Sequence, residues 1–268
     1  MPASRAAAEF DEISTVYDAT REPLPAPVVE AIASTLRRWG IHRLVEVGVG
    51  TGRVARPLLE RELEVTGVDS SPGMLARARA KGIPRLVRGS AYRLPFGDRT
   101  FDAALFVHVL HILDDPHLAL REACRVARVG AAALVRPPTG EEEEEPSLRP
   151  RRLVIDLLRK DGVELPDRAQ GGPPRAERRL IAEHPPDRMV TLSDERVTEP
   201  LADELRLFER RASRWTLNVP PEKLARAVAT ARRMSGESTR TYRLLRALAL
   251  WEHPPADPGE GMHPSGSA

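Results

Sequence analysis

The sequence predicts an α/β fold: a doubly wound, mostly parallel sheet with helices on both faces and a small helical cap. Three observations lead there. Short stretches at 44–47, 64–68, 85–88, 101–107 and 131–135 are apolar on both faces, as expected of strands buried in a parallel sheet. The segments between them are long enough for crossovers, and several carry apolar residues at helical spacing. The first strand runs straight into a glycine-rich turn and then a helix, in the manner of sheets that bind ligands where strand order reverses. The plan is Rossmann-like.

Taken in order, residues 1–40 supply an N-terminal lid and a first helix at 27–39, where Val29, Ile32, Ala33 and Leu36 share a face and Gly40 ends the run. Residues 41–137 hold the core. Within it the helix at 54–61 contains Pro57, which is expected to remove a backbone bond and bend it, and the helix at 118–127 is the most regular. After Val135 the chain breaks at Pro137, Pro138 and Gly140 and enters a run of five glutamates at 141–145. Helices at 148–160 and 175–183, joined through Gly171 and Gly172, make residues 138–186 the expected cap. Residues 187–253 complete the sheet, with a strand at 188–197, helices at 201–211 and 222–234, and a last segment at 242–250 that fits a strand and also fits a helix. The Pro/Gly/Ser-rich tail 254–268 is expected to be disordered.

Composition narrows the function classes. There is no apolar stretch of the roughly 18 residues needed to span a bilayer, and residues 1–8 lack a signal-peptide core, so a cytoplasmic location without membrane insertion is expected. The one cysteine, Cys124, excludes an internal disulfide and a thiolate zinc site, and its helical phase with Leu120, Ala123 and Ala127 makes it a core thiol. Basic residues number 41 against 39 acidic ones interspersed along the chain, which does not suit a nucleic-acid surface. No metal site is expected. The chain is expected to act as a monomer or homodimer on a small-molecule partner.

The strongest motif is Glu46, Val47, Gly48, Val49, Gly50, Thr51 and Gly52 between strand and helix. Glycines let such a turn fold tightly and bring backbone groups against a ligand. Asp69 closes the next strand, placed to accept hydrogen bonds from ribose hydroxyls. The spacing is G-x-G-x-G, whereas a dinucleotide turn would need its third glycine at Arg53. A nucleoside ligand without a pyrophosphate follows.

Residues 44–60 and 65–74 resemble the first two motifs of class I S-adenosylmethionine-dependent methyltransferases. Residues 89–115, with Leu94, Pro95, Phe96, Phe101, Asp102, His108, His111 and Asp114, resemble the ubiquinone/menaquinone-biosynthesis-like branch called type 11, and Tyr17, Asp18 and Arg21 resemble its lid. The resemblance implies S-adenosyl-L-methionine as cofactor and S-adenosyl-L-homocysteine as product. It implies that Gly48, Val49, Gly50, Thr51 and Gly52 bind the methionine part, supported by Glu46. Asp69 would hold the ribose; Ser70 and Met74 would border the adenine. Val107 and His108 would lie near the transferred methyl, and Tyr17 and Arg21 would close over it. Where related enzymes usually place an aspartate against the adenine amino group, this chain has Ser90 followed by Ala91, a shorter and uncharged acceptor.

His108 and His111, three apart at a strand end, are candidate general bases for an oxygen acceptor and equally candidate pocket-lining residues. Tyr17, His111 and Trp215 are candidate acceptor-contacting residues. A methyltransferase acting on a small molecule, a regulatory protein of the same fold that binds the cofactor without turnover, and a nicotinamide oxidoreductase remain the competing functions, and the acceptor itself is not encoded in any motif.

Overall fold

The computed structural model describes residues 5–21, 23–137, 150–165, 174–211 and 214–253. The acidic run at 141–145, Gly171 and Gly172, and the tail 254–268 lie outside them.

Strands β1 (Arg43–Val47), β2 (Glu64–Asp69), β3 (Leu86–Arg88), β4 (Phe101–Val107), β5 (Ala127–Val135), β6 (Arg188–Pro200) and β7 (Thr239–Trp251) form a seven-stranded sheet in the order β3-β2-β1-β4-β5-β7-β6. The first five are mutually parallel; β7 runs antiparallel to both β5 and β6. The chain winds outward from β1 to β3 and then returns to lay β4 beside β1. That reversal opens a crevice above the carboxyl ends of β1 and β4, the ligand site of open α/β sheets. The last segment is a strand because its period is two: Ala247, Ala249 and Trp251 enter one apolar layer while Leu248 and Leu250 enter the other.

The helices are α1 (Arg5–Tyr17), α2 (Ala26–Arg38), α3 (Ala55–Leu59), α4 (Pro72–Ala80), α5 (Pro116–Val126), α6 (Pro150–Lys160), α7 (Pro174–Glu183), α8 (Arg206–Glu209) and α9 (Pro221–Ser235). On one sheet face Val29, Ile32 and Leu36 of α2 and Leu58 of α3 pack against Leu44, Val65, Leu105 and Leu134. On the other, Leu120 and Ala123 of α5 and Leu180 of α7 cover Val45, Val47, Phe106 and Ala133. Pro57 does not bend a helix, since α3 begins at Ala55 and the proline falls in its first turn, where N–H groups have no intrahelical partner. Cys124 is half-buried, its thiol pushed up to about 11 by burial, and its Sγ lies 3.6 Å from the Trp251 carbonyl oxygen. It is a packing residue. No helix among the described residues is long and apolar enough to cross a membrane.

The cap is assembled differently from the expected 138–186. Val154, Ile155 and Leu158 of α6 pack on Leu224, Ala227, Val228 and Ala231 of α9, with Leu205, Phe208 and Trp215 between them, in a third apolar cluster separate from both sheet faces. Helix α7 is not part of it, because Leu180 and Ile181 bury on the sheet instead. The expected helix at 201–211 is a 3₁₀ turn, Leu201–Leu205, followed by the single turn of α8.

Pairing with β5 uses only Ala247 to Trp251 of β7. The remainder of β7 stays paired with β6 through Thr239↔Pro200 and so rises as a two-stranded ribbon beyond the carboxyl edge of the sheet. Cross-strand ion pairs brace it: Arg243 with Asp194 at 2.7 Å, Arg246 with Glu195 at 2.9 Å, and Arg240 with Glu199. The chain between the two ribbon strands carries α8 and α9, so the ribbon holds most of the cap above the crevice.

Candidate functional site

The turn after β1 is built for close approach. Gly48, Gly50 and Gly52 have φ of 72°, 55° and 78°, a region that L side chains rarely adopt. A Cβ on Gly48 would stand 2.6 Å from Val109 Cγ2, and one on Gly52 would stand 2.9 Å from Ile83 Cγ1, so packing also demands glycine there. At Gly50 nothing lies within 4 Å of the same point. Its exposed side faces open space.

Two carboxylates flank this turn. Asp69, at the end of β2, accepts the Gly50 N–H at 2.8 Å on one oxygen and the Ser71 N–H at 2.9 Å on the other. Burial raises its pKa, opposed by the N–H donors of Ser71, Gly50 and Ser70. Glu46, on β1, is 2% exposed and pushed up to about 8, first by burial and then by the charge of Asp69, with one backbone donor, Ala55 N–H, working the other way. Its Oε2 is buried and has no partner among the described residues. An orphaned buried carboxylate oxygen beside a glycine cradle fits an incoming ammonium, while Asp69, with three N–H donors on about four lone-pair sites, keeps one for a hydroxyl. The pair therefore fits an amino-acid-bearing nucleoside such as S-adenosylmethionine.

The lid is strapped to this turn. Asp18, in the 3₁₀ turn after α1, accepts from Thr51 Oγ1 at 2.6 Å and pairs with Lys81 Nζ at 2.6 Å; Lys81 also donates to Thr51 Oγ1 at 3.0 Å. Further up α1, Asp11 accepts the Gly73 N–H at 2.7 Å and the Ser71 hydroxyl, seating the helix on α4. Arg21 stacks on Tyr17, its Cζ 5.4 Å from the ring centre. Arg210, just past α8, donates to the Ala19 carbonyl at 2.6 Å, so cap and lid touch.

On the β4 side, His108 takes a positive φ of 56° directly after the strand, an uncommon conformation that histidine tolerates better than most residues. Its ring is open to solvent yet set in the crevice wall, and partial loss of water with the nearby cations of Arg136, Arg53 and Arg246 holds it well below the usual imidazole value. His111, in the 3₁₀ turn Leu110–Ile112, is held down to about 4 by burial, then by Arg136 and Arg21. Both rings are neutral at pH 7. Conjugate acids that strong make weak bases.

Other expected site residues are scattered around the same crevice or away from it. Val107 and Met74 are buried. Ser70 is half-buried; Ser90 is exposed, its Oγ accepting the Tyr92 N–H at 3.2 Å, and Ala91 packs against the second sheet layer. Trp215 stands inside the cap core, 4% exposed, with its ring centre 5.2 Å from that of Phe208. A surface groove lined by Arg88, Gly89, Arg93, Leu94, Pro95, Phe96, Glu122 and Arg125 includes none of the glycine-turn residues. Asp11, Lys81, Arg53 and Arg136 were not anticipated. Asp11 shares a helical face with Ser14, but nothing local signals that its partner is 60 residues away.

Comparison with known proteins agrees with this geometry. Residues 45–135 match the type 11 family described as a methyltransferase domain. Over 158 residues the chain is 31% identical to a demethylmenaquinone methyltransferase of Renibacterium salmoninarum, covering 55% of this chain and 62% of that one. Over 115 residues it is 36% identical to a phosphatidylethanolamine N-methyltransferase of Cereibacter sphaeroides, covering 38% and 56%. The chain thus spans less than two thirds of the length of these curated relatives. The fold matches a crystal structure of a methyltransferase from Thermotoga maritima at a TM-score of 0.51 and 20% identity, over 91% of this chain and 98% of that one. The glycine turn, the carboxylate pair and the parallel strand order coincide on the segment, residues 45–135, that matches the type 11 methyltransferase domain family.

Proposed function

We propose that the protein transfers the methyl group of S-adenosylmethionine to a small-molecule acceptor. The observation that carries this is the unpartnered Glu46 Oε2 beside Gly50 and Asp69. When bound, the cofactor supplies a methyl already activated by its sulfonium; a bond forms from the acceptor's nucleophilic atom to that carbon as the carbon–sulfur bond breaks, and the sulfur keeps the electron pair. The chain's task is alignment.

In this reading Glu46 and the Gly48–Gly52 turn hold the methionine part, and Asp69 holds the ribose. Ser70, Met74, Ser90 and Ala91 border the adenine. Val107 and His108 face the reacting carbon, Tyr17 and Arg21 close over the cofactor, and Tyr17 and His111 face the acceptor. Trp215 acts through the cap, by shaping it from within. His108 and His111 serve better as neutral hydrogen-bonding groups than as proton abstractors, so the acceptor arrives already deprotonated or loses its proton to water. The reaction is proposed to need no metal.

The test is release of S-adenosylhomocysteine from S-adenosylmethionine and a panel of small acceptors, with the melting-temperature rise caused by each cofactor form measured alongside. A rise with turnover supports the proposal. A rise without turnover on a broad panel returns the chain to a binding role, and no rise removes the cofactor assignment.

A further inference from the structure

The crevice above β4 and β5 holds more positive charge than the cofactor requires. Arg21 on the lid, Arg53 at the end of the glycine turn and Arg136 immediately after β5 make no ion pair among the described residues, although Arg53 is near enough to Asp18 to lower its pKa. Among the neighbouring acids Asp18 is engaged by Lys81, Glu195 by Arg246 and Glu199 by Arg240, while Glu177 receives the Arg136 backbone N–H rather than forming an ion pair with its guanidinium. The methionine part of the proposed cofactor would bring a single carboxylate, which Arg21 on the lid and Arg53 on the turn would share. Arg136 is left over. Its backbone is fixed by donation of its N–H to Glu177 Oε1 at 2.8 Å, and continuation of the β5–β7 register sets it opposite Arg246 at the base of the ribbon. It stands on the His108–His111 side of the crevice, where an acceptor would have to approach the methyl.

We propose that Arg136 binds a carboxylate carried by the acceptor, so that the substrate class is a small organic acid. This rests on the methyltransferase reading above. A guanidinium offers parallel N–H donors that match a carboxylate fork, and the adjacent neutral His111 can add a further donor. Arg246, already held by Glu195 and Ser193 Oγ, adds positive potential without competing for the anion. The same potential lowers the pKa of a hydroxyl on the acceptor, which supplies an ionised nucleophile in a site whose imidazoles are weak bases.

The experiment uses the full chain saturated with S-adenosylhomocysteine and measures, by calorimetry, binding of small hydroxy acids, each paired with its carboxamide, with inorganic phosphate as a separate arm. Wild type, Arg136→Gln and Arg136→Lys are compared. Binding of S-adenosylhomocysteine is measured first; its failure in wild type refutes the cofactor reading and is recognisable as such. With the cofactor product bound, the acids are expected to bind at least tenfold more tightly than their amides, Arg136→Gln to erase that preference, and Arg136→Lys to restore part of it. Equal binding of acids and amides, binding of neither, an unchanged preference in Arg136→Gln, or binding of phosphate in place of the acids would each overturn the proposal.

Discussion

Asp18 of the lid accepts the Thr51 hydroxyl of the glycine turn at 2.6 Å while pairing with Lys81 at the same distance, so the lid is latched to the loop it covers. The Lys81 and Asp18 side chains are each more than a third exposed, which keeps the contribution of their ion pair to global stability within about 1 kcal/mol. The latch pulls the Asp18 carboxyl below its usual range through Lys81 and Thr51, against its own desolvation. It is therefore intact above pH 4 and released as acid protonates Asp18. Asp18→Ala is expected to leave the melting temperature nearly unchanged, to raise cleavage within residues 5–21 by dilute protease, and to weaken S-adenosylhomocysteine severalfold. An unaltered cleavage pattern would show that the lid is held by α4 alone.

Gly50→Val and Asp69→Ala attack the cradle from its two sides. Valine at a φ of 55° is strained and fills the open space over the turn. Alanine at 69 removes the acceptor of the Gly50 N–H. A ligand at a hundred times its dissociation constant stabilises the native state by about 2.7 kcal/mol. Each variant should lose most of that thermal shift while remaining folded by circular dichroism, and retention of the full shift in both would refute the assignment of the cradle.

Glu46 makes cofactor binding and apo stability depend on pH in opposite senses. Its pKa is raised in the folded protein to about 8 from an ordinary value of 4.5, so the folded state holds a proton that the unfolded chain has lost. Stability attributable to Glu46 is thus complete below pH 4.5 and declines through pH 8, by at most about 1.4 kcal/mol per pH unit. An ammonium at Oε2 needs the carboxylate ionised. Binding of S-adenosylmethionine at pH 6.5 is expected to expel up to about one proton. Calorimetry in buffers of different ionisation enthalpy measures this, and Glu46→Gln should abolish both the proton release and the alkaline loss of stability. A wild-type protein that binds without proton release would contradict the placement of the ammonium.

Ser90 already uses its hydroxyl to receive the Tyr92 N–H at 3.2 Å. An aspartate there can keep that bond with one oxygen and offer the other, charged, to the adenine amino group. Ser90→Asp should tighten S-adenosylhomocysteine by about 1 kcal/mol, below the usual range for a charged hydrogen bond because the position is exposed. Equal or weaker binding by calorimetry would mean that the adenine is held by other groups.

The sheet and the cradle were largely legible because their signals are local. Five short runs apolar on both faces mark five of the seven strands, and the G-x-G-x-G turn with Asp69 closing the following strand marks the site. The helix at 5–17 carried a readable signal in Phe10, Ile13 and Tyr17 at helical spacing, yet its docking through Asp11 onto Ser71 and Gly73 depends on chain closure over about 60 residues, which no local period encodes.

The cap was misgrouped for the same reason. Helices at 150–160 and 174–183 are neighbours in sequence, but the first buries Val154 and Leu158 against Leu224 and Val228, some 70 residues later. Trp215, a candidate acceptor contact on its position alone, is core because its partners, Phe208 among them, close around it. Arg136 carried no signal at all. Its isolation emerges only when strand register has assigned Arg240, Arg243 and Arg246 to the acids of β6.

The third apolar cluster shares no residue with the two that sandwich the sheet. Its members are joined to the rest of the molecule by the ribbon and by polar contacts such as Arg210 with Ala19. A unit with its own core opens as a unit, at a free energy below that of global unfolding. Amide exchange in α6 and α9 should therefore share one protection level, distinct from that of β1 and β4. Substitutions that rebuild the interior around Phe208 and Trp215 fall on that smaller ledge of stability, leaving the buried setting of Glu46, Gly50 and Asp69 intact.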